Sequence, residues 1–224
     1  MPMAIEKDIL MATSFEPAST PRLRCELHNA ITHFAHSTFE CDMTDPHSIE
    51  LVHFGSKRWA NYFKVVLLGL QSVLPPEVRQ NAHGTIKVLV DGTVPPESSL
   101  SSSAAMTTCS SIVILTALKA LHVVPRKVIA DVACHSERLV GVHSGGMDQA
   151  VSVFGQRDKA LFVSFAPTLH VSPIELPLGH QYVFLVTNTM IKSDKKATAP
   201  ERYNLRVVET RLAAAVLKRV LQTK

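Results

Sequence analysis

The stretch that most constrains this chain is residues 85–121. A strand-like apolar run, Thr85-Ile86-Lys87-Val88-Leu89-Val90, leads into the turn Val94-Pro95-Pro96-Glu97-Ser98-Ser99-Leu100-Ser101-Ser102-Ser103-Ala104-Ala105, and a long apolar segment from Ala104 to Leu121 leaves it. The first N–H groups of a helix have no internal partner and carry the positive end of its dipole, so such a turn suits an anion. Serine hydroxyls add donors for phosphate oxygens or a metal. Two readings stay open at this level: a phosphate cradle, or a plain linker whose serine caps the helix.

Composition narrows the class. At 224 residues the chain fits one large domain, or one domain with part of a second. It is 46% hydrophobic and 19% charged, enough apolar content to fill a core. The net charge is only +4, and no run of about five or six basic residues occurs, so charge argues for neither nucleic acid nor an anionic membrane. Cys25, Cys41, Cys109 and Cys134 form no CxxC pair and read as reduced core thiols, with no disulfide framework. The first residues lack a basic segment followed by an apolar one, and no stretch approaches about 18 uninterrupted apolar residues. A cytoplasmic protein is expected. The chain opens inside a strand-like run, Ala4 to Thr13, and stops inside a helical pattern at Lys224, so both ends look cut from something longer.

In chain order, residues 3–15 and 22–40 read as strands joined by a turn at Pro17 and Pro21. His28, His33, His36, His47 and His53 lie near Cys25 and Cys41, but their spacing matches no zinc pattern, and surface histidines are the simpler reading. A helix opens at Trp59, with apolar residues at Tyr62/Phe63, Val66/Leu67, Leu70 and Val73/Leu74, and stops at Pro75-Pro76. Trp59 is either core or an aromatic that stacks on a ligand base. Pro125 suits the first position of the next helix, which runs to Gly141 and carries Glu137 among apolar neighbours. That carboxylate is either solvated or paired, or holds Mg²⁺ beside a phosphate loop. The turn Gly141-Val142-His143-Ser144-Gly145-Gly146-Met147-Asp148-Gln149 follows. Its glycines permit close backbone approach, and Asp148 either caps the next element or points at a substrate hydroxyl. Strands are expected over Ala160–Phe165, Leu169–Leu176 and Gln181–Asn188. A polar loop over Lys192–Ala199 and a final helix from Pro200 complete the order. The fold class is α+β, helices covering an antiparallel-leaning sheet.

Three segments taken together resemble the GHMP small-molecule kinases, in their fungal galactokinase form. Pro95 to Ala105 resembles the family's phosphate loop, and Gly145-Gly146-Met147-Asp148-Gln149 its substrate-site turn. Trp59-Ala60-Asn61-Tyr62-Phe63-Lys64, the opening Met1-Pro2-Met3-Ala4-Ile5, and Thr198 through Glu209 look like fungal members. The resemblance implies a GHMP-kinase-like (ribosomal protein S5 domain 2-like) ATP-binding domain over residues 1–178, and the start of a second α+β domain over 179–224. The activity it implies is transfer of the ATP γ-phosphate to the C1 hydroxyl of α-D-galactose, with Mg²⁺. In that reading Asp148 is the base toward the sugar hydroxyl, and Gly145 and Tyr203 contact the sugar. Trp59 lies near the adenine, and Ser99, Leu100, Ser101, Ser102 and Ser103 hold the nucleotide phosphates. Ser102 and Glu137 bind the Mg²⁺.

The chain departs from the family pattern at defined places. The family loop carries glycines where this chain has Glu97 and Ser99, and Glu97 brings negative charge toward a triphosphate. Two unit charges about 4 Å apart repel by about 4 kcal/mol at an effective dielectric of about 20. The family's first motif, with an arginine at the transferring phosphate and contacts to the sugar, is not in the chain, nor is its last glycine-rich motif. Three readings result: a kinase; a sensor that binds ATP and galactose and acts through a repressor-type protein partner; or a gene fragment with no stable function alone.

Overall fold

In a computed structural model, residues 2–175 and 199–222 are described, together with residues 185, 187, 189 and 190. Four strands form the main sheet: β1 (Ile9–Pro17), β2 (Leu23–Asn29), β3 (Ser37–Cys41) and β4 (Gly84–Gly92), in the order β1-β4-β2-β3. The alternation that makes a half-buried strand is clearest in the middle. Ile86, Val88 and Val90 of β4 and Leu23, Cys25 and Leu27 of β2 are buried, while Leu89, Asp91, Arg24 and His28 on the opposite face are exposed. β4 pairs antiparallel with β1, from Ile9↔Gly92 to Pro17↔Gly84, and parallel with β2, from Leu23↔Gly84 to Asn29↔Val90. β2 and β3 are antiparallel.

The sheet is therefore mixed, and β1 and β2 are not the simple turn-linked pair expected. The five residues between them, 18–22, step over β4; a fully extended span of that length reaches about 17 Å, against about 10 Å for two strand spacings. The expected strand from Ala4 begins only at Ile9, because the preceding backbone is engaged elsewhere. The Pro2 carbonyl accepts from Leu161 N at 2.9 Å, and the Asp8 carbonyl accepts from Thr93 N at 2.9 Å and Val94 N at 3.2 Å. Residues 2–8 thus form a strap across the molecule. The stretch 22–40 divides into β2 and β3.

Helices cover one face. A 3-10 turn, Arg58–Ala60, precedes α1 (Asn61–Gln71), so the helix starts two residues after Trp59. Phe63, Val66, Leu67 and Leu70 form the buried stripe that the spacing predicts, and Tyr62 is half-buried. Burying each such side chain stabilises by about 1.5–3 kcal/mol. Pro76 opens the short helix α2 (Pro76–Gln80) rather than merely stopping α1. The helix α3 (Ser102–Ala117) packs on β1, α1 and the following helix α4 (Arg126–Arg138). Pro125 sits one place before the expected position, as the N-cap of α4, and the helix ends at Arg138 with Leu139 exposed. Next come α5 (Met147–Phe154) and a separate hairpin of β5 (Lys159–Ser164) and β6 (His170–Glu175). After a π-helical turn at Ala199–Tyr203, α6 (Asn204–Gln222) is tied to the 141–143 turn. The Asn204 Oδ1 accepts from His143 N at 3.2 Å, and its Nδ2 donates to the Gly141 carbonyl at 3.3 Å. Leu205, Val208, Leu212 and Val216 of α6 are exposed.

The strand expected over Gln181–Asn188, most of the polar loop over Lys192–Ala199 and the domain boundary at 178/179 fall largely outside the described residues. Among the described residues no helix is long and apolar enough to cross a membrane, and no group of three His, Cys, Asp or Glu gathers for a metal. His28 and His36 instead stack at 4.7 Å. All four cysteines are free thiols; Cys25, Cys41 and Cys134 are buried, and Cys109 is half-buried.

Two consequences can be measured. α1 and α4 approach closely at Gly69, where an added Cβ would lie 2.3 Å from Ser136 Oγ and 3.1 Å from Val132 Cγ1. Gly69→Val forces these helices apart and lowers unfolding free energy by about 1–3 kcal/mol in a denaturant titration. The Cys109 thiol on α3 is pushed up to about 11, first by burial and then by Asp8. Its folded-state value lies above its unfolded value of 9.0, so the stability it contributes is full below pH 9 and lost as pH rises through about 11. Thermal melts across that window show a fall in Tm that is shallower in Cys109→Ala.

A candidate site where two helix starts meet

The loop before α3 keeps a glycine-like backbone without glycine. Glu97, Ser99 and Ser101 have φ of 57°, 59° and 59°, and the residues between them do not share that sign. Alternation of this kind turns successive N–H groups toward one concavity, the nest geometry that holds anions. The Ser98 hydroxyl closes the turn by donating to the Pro95 carbonyl at 2.7 Å. Each left-handed L-residue costs about 1–2 kcal/mol, so Glu97, Ser99 and Ser101 leave strain in the loop.

Ser99, Ser101, Ser102 and Ser103 line a cavity of about 280 Å³ together with Glu97, Arg58 and Trp59. Trp59 is a fixed wall: it is 8% exposed, and its indole N–H donates to the Ala35 carbonyl at 2.8 Å. Glu97 therefore faces the same space as the serines, with Arg58 a cation on its lining. Leu100 lies apart from this group and lines a second cavity, of about 540 Å³.

Asp148 lines that second cavity, which the strap at residues 2–9 and the α3 residues Thr108, Cys109 and Ile112 also enclose. It stands in the first turn of α5. Gly146 precedes the helix with φ 90°, and a Cβ there would meet Cys134 Sγ at 2.9 Å, so the turn needs glycine on both counts. The Ser101 hydroxyl at the start of α3 donates to Asp148 Oδ2 at 2.7 Å. Two helix N-termini therefore converge on one carboxylate.

Glu137 of α4 is 3% exposed. Its Oε2 accepts from Ser144 Oγ at 3.0 Å and from Gln149 Nε2. Gln149 is fully buried, and its Oε1 is an unpaired polar atom beside this carboxylate. The Glu137 carboxylate, the unpaired Gln149 amide oxygen and, on the serine cavity, the Ser102 hydroxyl are hard oxygen donors of the kind Mg²⁺ accepts. Glu137 does not itself line the serine cavity.

Tyr203 is drawn into the same field. Burial first, then the charges of Asp148 and Glu137, hold its phenol above the ordinary range. Gly145 is not brought to the Asp148 cavity; it lines a third one, of about 390 Å³, with Cys134, Arg138 and Phe165. Reading the sequence passes over Arg58, although it is the neighbour of Trp59. It also passes over Ser144 and Gln149 as the holders of Glu137, although both lie in the glycine turn already singled out.

Residues 61–156 match the model of the GHMP kinases N terminal domain. Over that region the chain is similar to the GHMP kinases. Its relatives are galactokinases. It is 32% identical to the galactokinase of Schizosaccharomyces pombe over 97% of this chain and 42% of that protein. To the galactokinase of Candida albicans it is 35% identical over 99% of this chain and 42% of that protein. The chain thus spans less than half the length of these relatives. Its fold matches a solved Lactococcus lactis galactokinase complexed with galactose, with a TM-score of 0.68 and 21% identity, over 99% of this chain and 51% of that one.

The strained loop is open to a direct test. Glycine at position 99 relieves about 1–2 kcal/mol of left-handed strain and adds about 0.5–1 kcal/mol of unfolded-chain freedom. Ser99→Gly therefore raises Tm by a few degrees, at about 2–4 °C per kcal/mol. A lower Tm by circular dichroism would show that the loop is not strained at this residue.

Proposed function

We propose that this chain carries the nucleotide-phosphate loop and the acceptor-side carboxylate of a galactokinase, acting in transfer of the ATP γ-phosphate to the C1 hydroxyl of α-D-galactose. The observation that carries the reading is the juxtaposition of the nest before α3 with Asp148, through the 2.7 Å bond from Ser101. A phosphate donor and an acceptor hydroxyl must meet within contact distance, and these two groups lie on either side of such a point.

The residues divide the work. Nest N–H groups and the Ser101, Ser102 and Ser103 hydroxyls donate to phosphate oxygens, with the α3 dipole behind them. Trp59 forms a fixed aromatic wall of the nucleotide cavity. Asp148 orients the C1 hydroxyl and takes its proton as the new O–P bond forms and the bond to the leaving ADP breaks. Tyr203, close enough to feel Asp148, contacts the sugar on the same side, and the backbone at Gly145 is the further sugar contact that the family likeness suggests. Ser102 and Glu137 would hold Mg²⁺, which when bound neutralises charge between the phosphates. Arg58 offsets part of the repulsion from Glu97 in the same cavity. The phosphate-binding domain covers residues 1–178 in this proposal, and a second domain begins at 179. The four free thiols suit a reducing, cytoplasmic setting.

Galactose-dependent ADP release is the direct assay. Asp148→Ala lowers it by about 100-fold or more and leaves ATP binding intact. Undiminished turnover in that variant would show that another group serves as base. Ligand binding with no ADP release in the wild type would remove the kinase reading.

A further inference from the structure

Ser101 occupies a helix N-cap position without capping the helix. Serine is favoured there because its oxygen accepts from the second or third N–H of the helix. Here the side chain makes no such bond, and the residue sits at φ 59° and ψ 34°. Its hydroxyl points across to α5 and donates to Asp148 Oδ2 at 2.7 Å. Ser101 also lines both cavities, the one shared with Trp59 and the loop serines and the one that holds Asp148. It is part of the wall between them.

We propose that Ser101 is a positioning residue that couples the two cavities, holding Asp148 when no nucleotide is bound and releasing it when a nucleotide phosphate engages the serine. This rests on the kinase reading above. A hydroxyl has one proton to donate. It serves either Asp148 or a phosphate oxygen arriving in the nest, not both. While Ser101 donates to Oδ2, it occupies one acceptor position there and fixes the rotation of the carboxylate. Once phosphate takes the serine proton donor, that position is free and the carboxylate can turn to the sugar hydroxyl. Nucleotide binding therefore raises sugar affinity, and by linkage sugar raises nucleotide affinity by the same factor. The left-handed backbone at 101 is what aims the hydroxyl at α5 instead of at its own helix.

The test is calorimetric titration of the chain with D-galactose, with and without a saturating non-hydrolysable ATP analogue and Mg²⁺. In the wild type the analogue lowers the galactose Kd by about 10-fold. In Ser101→Ala and Ser101→Gly, nucleotide-free protein binds galactose more tightly than the wild type does, and the ratio with and without analogue falls to about 1. Ser101→Gly accommodates φ 59° without strain, so a Tm no lower than the wild type's shows that the fold is kept. A merely structural serine would shift stability and leave the ratio alone. A wild-type ratio of 1, or a glycine variant that keeps the wild-type ratio, overturns the coupling while leaving the kinase reading in place. Wild-type protein that binds neither ligand overturns both.

Discussion

The site depends on two helix N-termini being held face to face. Neither α3 nor α5 could bring its first turn to the other unless the packing behind them fixed both axes. That packing is supplied by α4, which contacts α3 and α5 and carries Glu137 at its buried end. Glu137 in turn accepts from Ser144 and Gln149, one on each side of the Gly145–Gly146 turn. A carboxylate this buried is costly unless it is bonded, so the two donors and the acid stand or fall together. The turn that delivers Asp148 is thus pinned from beneath by a polar network, not by apolar contact alone.

Much of this was legible in residue order, for local reasons. The alternation of β4, the serine turn and the start of α3 depend on neighbours within a few residues, and they lie where the pattern puts them. So do the buried stripe of α1 and the glycine requirement at 146. What could not be read is what depends on distant chain. The insertion of β4 between β1 and β2 is decided by which strand can be buried on alternate residues with both ladders satisfied. Gln149 as a partner of Glu137 requires knowing that α5 folds back on α4. Residue order also does not tell that Gly145 lines a different cavity from its neighbour Asp148.

The loop before α3 holds a backbone that its residues do not favour. Glu97 and Ser99 adopt the left-handed angles that glycine takes without cost. The flanking constraints are evidently stronger than the local preference: Val94 is fastened to Asp8, and Ser101 is committed to Asp148. A strained loop of this sort is tolerated when its ends are held. Its charge is a separate matter from its shape, because Glu97 and Arg58 line the same cavity as the loop serines.

The central position of β4 has a consequence for how the chain is made. Among the described residues β1 pairs with no strand but β4 in the main sheet, and β2 is half-paired until β4 arrives. During synthesis about seventy residues emerge between the end of β1 and the start of β4, and they include α1 and both neighbouring loops. For that interval β1 is an open ribbon edge, with unpaired N–H and carbonyl groups and alternating apolar side chains. Closing the sheet over so long a span carries a large entropic cost and slows the final step. A nascent chain of this design is most exposed to wrong strand partners just before the serine loop is translated.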